Sequence, residues 1–176
     1  MDQFFAFFNK QASTLKGCYL AVVLEPRRQL LDLGKQLREQ HGFLPMHLAN
    51  PPRGKDVFHA TIAFFKDGLD DDQMEKLKKK FEGLEVTLEL SGHGKAMKGE
   101  DSSLYFTVNP EQVELIRSEI KSLGIPFMAT DPHITFGVHT DTRKDVHGVA
   151  KLPQVKLDAF ELHGIVQLKQ GQSKLF

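Results

Sequence analysis

Twice along this chain an apolar strand pattern leads through an amphipathic helix into a second apolar stretch that contains a single His-x-Thr triplet. In the first half, residues 18–25 suit a strand. Pro26 opens a helix running to about His41, with Leu30, Leu33 and Leu37 as its stripe. A loop with Pro51-Pro52, Arg53 and Lys55 then leads to the first motif strand, residues 57–65. In the second half, Leu104, Phe106 and Val108 alternate with Ser103, Tyr105 and Thr107. Asn109-Pro110 caps a helix carrying Val113, Ile116 and Ile120, Gly124 ends it, and the second motif strand spans residues 132–138. The repeat lies in the order of elements, not in close sequence identity.

Further elements fit around this frame. Asp70 and Gln73 predict a capping box for a helix bearing Met74, Leu77 and Phe81. Leu84, Val86, Leu88 and Leu90 alternate as in a half-buried strand, and Phe160, Leu162, Val166 and Leu168 mark a last one. Gly92-His93-Gly94-Lys95 reads as a connection between lobes. The order predicts an α+β fold, bilobal and pseudo-symmetric, with two largely antiparallel sheets, helices outside and a central groove. Residues 1–17 read as an N-terminal Phe-rich helical extension and 18–176 as a single bilobal catalytic domain.

Composition narrows the function classes. Lys plus Arg equals Asp plus Glu at 23 each, so the net charge is zero. Proteins that grip long nucleic acid usually carry a basic surplus, so a nucleotide or one end of an RNA is expected rather than a duplex. The single Cys18 excludes an intrachain disulfide framework and points to a reducing, cytoplasmic setting. No stretch is long enough to span a bilayer. In the N-terminal segment, Phe4, Phe8, Ala12 and Leu15 would line one side of a helix, an expected packing face or a contact with a partner or membrane surface.

The two triplets, His59-Ala60-Thr61 and His133-Ile134-Thr135, carry the chemistry. In a strand the His and Thr of each share one face. Parity gives that face His59, Thr61, Ala63 and Phe65 in the first strand, and His133, Thr135, Gly137 and His139 in the second. Imidazole titrates near neutrality, so one His can serve as base while the other is protonated. With a phosphodiester between them, one deprotonates water and the other protonates the leaving oxygen. Thr61 and Thr135 donate to the non-bridging oxygens, where charge builds in the transition state. Tyr19 and Tyr105 fall in the first strand of each half on the groove face, and two readings stay open: one of them stacks on a base, or both are ordinary half-buried tyrosines. His139 and His163 are expected at the solvated or core edge, and Lys95, Lys98, Arg53 and Lys55 as solvated loop cations.

Two apolar strands of this kind, His59-Ala60-Thr61-Ile62-Ala63-Phe64-Phe65 followed by Asp67-Gly68 and Pro132-His133-Ile134-Thr135-Phe136, resemble those of the 2H phosphoesterases. The resemblance in element order covers most of residues 18–168, while close motif similarity covers only these segments. It implies a bilobal fold with both motifs lining one cleft, and metal-independent hydrolysis or transfer at 2′,3′-cyclic or 2′-5′ phosphodiesters without a cofactor. It implies His59 and His133 as the acid/base pair and Thr61 and Thr135 as phosphate binders. Phe58 departs from the family by standing where a proline often precedes the first His. Three other readings stay open: a nucleotide-binding module that does not turn over, a hydrolase of cyclic oligonucleotide signals, and a His-based metal site. The last lacks a clustered carboxylate or thiolate set at familiar spacing.

Overall fold

Where side chains alternate between buried and exposed the chain forms strands, and where apolar residues recur every three or four it forms helices. The computed structural model describes residues 17–25, 27–49 and 58–170. The expectations for Phe4, Phe8, Ala12, Leu15, Pro26, Arg53 and Lys55 fall outside the described residues. In chain order the described elements are β1 (Cys18–Leu24), α1 (Arg28–His41), β2 (Phe43–Pro45), β3 (His59–Phe65) and α2 (Asp71–Phe81). There follow β4 (Glu85–Lys98), β5 (Asp101–Val108), α3 (Glu111–Ser122), β6 (His133–His139) and β7 (Val155–Gln170).

Local chemistry sets several boundaries. The capping box before α2 is formed: Asp70 Oδ1 accepts from the Gln73 N–H at 2.8 Å, and Gln73 Oε1 accepts from the Asp70 N–H at 3.1 Å. Gly124 takes up the left-handed conformation just past α3 and donates its N–H to Lys121 O. Among the described residues no helix is long and apolar enough to cross a membrane.

The strands form one antiparallel sheet in the order β2-β6-β5-β4-β7-β1-β3. The α+β class and the pseudo-symmetry are as expected. The two sheets expected, however, are halves of one, joined where β4 pairs with β7. Reading inward from the motif strands, β3-β1-β7 matches β6-β5-β4. Gly92 to Lys95 is not a connection between lobes but the middle of β4, which passes from its pairing with β7 into its pairing with β5. The glycines there serve close approach: a Cβ on Gly92 would lie 2.4 Å from Val155 O, and one on Gly94 2.5 Å from Tyr105 Oη.

Helices and short strands are exchanged between the halves. α1 packs on β6, and β2, just after it, pairs with β6. α3 packs on β3, and Met128, just after it, bridges to Phe64 of β3. Each motif strand is thus backed by the helix of the opposite half. The core lies between sheet and helices and includes Leu20, Val22, Leu30, Leu37, Ile62, Ile116 and Ile120. Phe106 and Phe136 stack in it with ring centroids 4.1 Å apart. β3 and β6 also approach each other within 8 Å between Cα atoms, so the sheet curls.

Candidate active site on the two His-x-Thr strands

Both motif strands carry a β-bulge at the same place. Opposite β3, Leu20 faces Ala63 and Ala21 faces Thr61, leaving Ile62 without a partner. Opposite β6, Leu104 faces Gly137 and Tyr105 faces Thr135, leaving Phe136 without one. In each case the extra residue follows the motif threonine directly, bending the strand there. The bulge also inverts the alternation beyond it. Phe65 is buried in the core and Phe64 is the exposed one, the reverse of simple parity. Gly137 likewise turns toward α1, where its Cβ would meet Arg38.

An arginine from the opposite half clasps each bulge. Arg117 of α3, only 5% exposed, donates from Nε to Ile62 O at 2.7 Å and from Nη2 to Thr130 O at 2.7 Å, and pairs with Glu114. Arg38 of α1 donates from Nη1 to Phe136 O at 3.1 Å. Burial pushes the Arg38 guanidinium pKa below its ordinary range, with Glu39 opposing. Stepping two residues from the Phe64–Met128 bridge reaches Ile62 and Thr130, the two carbonyls held by Arg117. Three further steps along the same count reach His59 and His133.

The second motif is enclosed. His133 Nδ1 lies 2.7 Å from Asp131 O; a carbonyl only accepts, so Nδ1 carries the proton and Nε2 is left for chemistry. Burial lowers the His133 pKa, helped by Lys151 and His147 and opposed by the Asp131 carbonyl bond and Asp145. Thr135 Oγ1 reaches Asp145 Oδ1 at 3.5 Å, the edge of hydrogen-bond length. Lys151, 3% exposed, donates from Nζ to Val146 O at 2.9 Å and Val149 O at 3.4 Å, and its N–H donates to Asp131 Oδ2 at 3.0 Å. Burial lowers its pKa against the pull of Asp145 and Asp131.

The two tyrosines are not counterparts. Tyr105 faces Thr135, so its equivalent in the first half is Ala21, which faces Thr61. The Tyr105 hydroxyl donates to Leu152 O at 2.8 Å, and its buried ring meets His133 edge-on at 6.2 Å. Directly opposite Thr135, it shares the His/Thr face with His133. Tyr19 is only partly buried, and its ring lies 5.6 Å from that of His59, tilted by 35°. His59, Thr61, His133 and Thr135 are all half-buried.

The remaining candidates are elsewhere. His139 sits edge-on to Phe43 at 6.0 Å, at the far end of β6 from His133, and the exposed His163 is 3.0 Å from Thr87 Oγ1. Lys95 Nζ lies 5.3 Å from the centroid of Phe43, and Lys98 Nζ donates to His147 O at 3.4 Å. Sequence reasoning missed Asp131, Asp145, His147 and Lys151. The only signal was their closeness to the second motif, since Lys151 looks like any loop cation. Among the described residues no three His, Cys, Asp or Glu side chains gather as a metal-ligand set.

A comparison with protein-family models finds no match, and neither does one with curated proteins. Among solved structures, E. coli LigT complexed with 3′-AMP is similar at 14% sequence identity and a TM-score of 0.46, over 89% of this chain and 97% of that one. So distant a likeness says nothing about activity.

Proposed function

We propose that this chain is a metal-independent phosphodiesterase of the 2H type, opening a 2′,3′-cyclic phosphate or cleaving a 2′-5′ linkage of a nucleotide or RNA end. One observation carries the reading. The two His-x-Thr motifs occupy matched positions in the two halves, each followed by the same bulge, on strands that approach within 8 Å between Cα atoms, with Arg117 bonding Ile62 O of β3 and Thr130 O just ahead of β6. In this reading His133, with Nδ1–H committed to Asp131 O, uses Nε2 to take a proton from water. The water oxygen bonds to phosphorus, one ring P–O bond breaks, and His59 delivers its proton to the departing ribose oxygen. Thr61 and Thr135 donate to the non-bridging oxygens as their charge grows. A cytoplasmic setting fits the single, buried cysteine.

The test is hydrolysis of 2′,3′-cyclic mononucleotides with EDTA present. His59→Ala and His133→Ala are each expected to cost about 10²–10⁴-fold in turnover, the usual worth of one general acid or base. Thr61→Ala and Thr135→Ala should cost less. A rate unchanged by either histidine substitution would exclude the paired mechanism. Activity lost to EDTA would favour a metal site. Binding without turnover would make the chain a nucleotide-binding module.

A further inference from the structure

Part of β4 keeps an open edge in the middle of the sheet. It pairs with β5 only from Leu90 onward, so residues 85–89 have β7 on one side and no described strand on the other. The Val166 N–H donates to Leu84 O, which sets the alternation of the ladder. Leu84, Val86 and Leu88 turn their backbone groups to β7, while Glu85, Thr87 and Glu89 turn theirs to the open side. There Glu89 O accepts from the Asn109 N–H at 2.8 Å. The backbone groups of Glu85 and Thr87 face a groove whose other wall is α3, with Gln112, Leu115 and Glu119. Leu84 is 42% exposed and Leu115 59%. In the other half His163 O takes the Glu25 N–H in the same way, but the space beside that edge holds Arg27, which lies over Phe160 at 5.7 Å.

We propose that this edge takes up an extended segment of a partner protein in which basic and apolar residues alternate. A strand added here completes the ladder at Glu85 and Thr87. Residues opposite each other in adjoining strands share a face. One side of the segment therefore lies beside Glu85 and Glu89, and the other beside Leu84 and Leu115, under α3. Charge decides the occupant. Glu85, Glu89, Glu111, Glu119 and Glu161 line the groove and its continuation, and among the described residues no lysine or arginine does. Lys80 alone reaches in from α2, at 3.5 Å from Glu119. A second copy offering the same edge would set Glu against Glu, which keeps copies apart. A nucleic acid would bring its phosphates to carboxylates. The inference does not depend on the phosphodiesterase reading.

The experiment is calorimetric titration of the full chain with three synthetic peptides: Lys-Val-Lys-Val-Lys, Glu-Val-Glu-Val-Glu and Lys-Lys-Lys-Val-Val, each blocked at both ends. The alternating basic peptide is expected to bind, more weakly as salt is raised, and the other two are not. Thr87→Pro removes the outward N–H without removing a bond to β7, and is expected to weaken binding by about tenfold or more. Thr87→Val loses the same hydroxyl contact with His163 but keeps the N–H, so it should bind as the wild type does. Glu85→Lys with Glu89→Lys should abolish binding, and decides the matter if the proline variant does not fold. A wild type that ignores the basic alternating peptide, or takes all three alike, overturns the proposal. So does unchanged binding by the folded Thr87→Pro variant. Self-association of the wild type that Thr87→Pro abolishes would overturn it in favour of a second copy.

Discussion

An imidazole that gives its Nδ1–H to a backbone carbonyl has one nitrogen left to offer, and at His133 the surroundings also disfavour a second proton. Burial is the largest cause, with the positive charges of Lys151 and His147 adding to it. The protonated form is therefore lost already below the ordinary imidazole value of about 6.5. If His133 is the base, the acidic limb of the kcat/KM profile falls below that value. Lys151→Met removes one of the cations, so the His133 pKa should rise and the limb should move to higher pH. A limb that stays put in the folded variant would show that the amine does not act on His133. His59, Thr61, His133 and Thr135 were legible as candidates because a triplet in an apolar strand stands out. Lys151 was not legible. It is buried because the carbonyls of Val146 and Val149 curl back to receive it, and nothing within its own sequence neighbourhood announces that.

At the level of elements, the two bulges and the two arginines act as pairs. An unpaired ladder residue leaves a carbonyl out of register, and a guanidinium from the other half takes it up. Arg117→Met strands Ile62 O in a buried setting, at about 1–3 kcal/mol for the unsatisfied carbonyl, and also loses the part-buried bond to Thr130 O. Arg38 makes a single, longer bond to a less enclosed site, so Arg38→Met should cost less; urea titration of both variants checks the order. The periodicities revealed the helices well, and the Asp70–Gln73 box was readable because both partners lie within one turn. The bulges were not readable, because they are imposed by the partner strands. That is why Phe64 and Phe65 exchange faces against simple alternation. Gly92 and Gly94 misled for a related reason: glycine serves close approach as well as turns, and only the neighbouring strand decides which.

For the molecule as a whole, exchange of α1 and α3 means that neither half owns a complete core. Leu30 and Leu37 of α1 and Ile116 and Ile120 of α3 belong to the same buried cluster as strands from both halves. Unfolding should therefore be a single transition. Far-UV circular dichroism, which reads all elements, and the fluorescence of Tyr19 and Tyr105, one in each half of a chain without Trp, should share one midpoint. Two separate midpoints would show that the halves stand independently. The strand–helix–strand repeat suggested two similar lobes, but which helix covers which strand is a matter of long-range pairing that periodicity does not carry.

The same exchange bears on how the protein is made. β1 is synthesised before either of its two neighbours, and one of them, β7, comes after every other described strand. β3 likewise waits for Arg117 and Met128, which belong to the second half. A nascent chain stopped before residue 155 would hold β1 and β4 with open edges, the condition under which strands pair between copies. Such a chain gains little by folding as it grows; its safe course is to finish first.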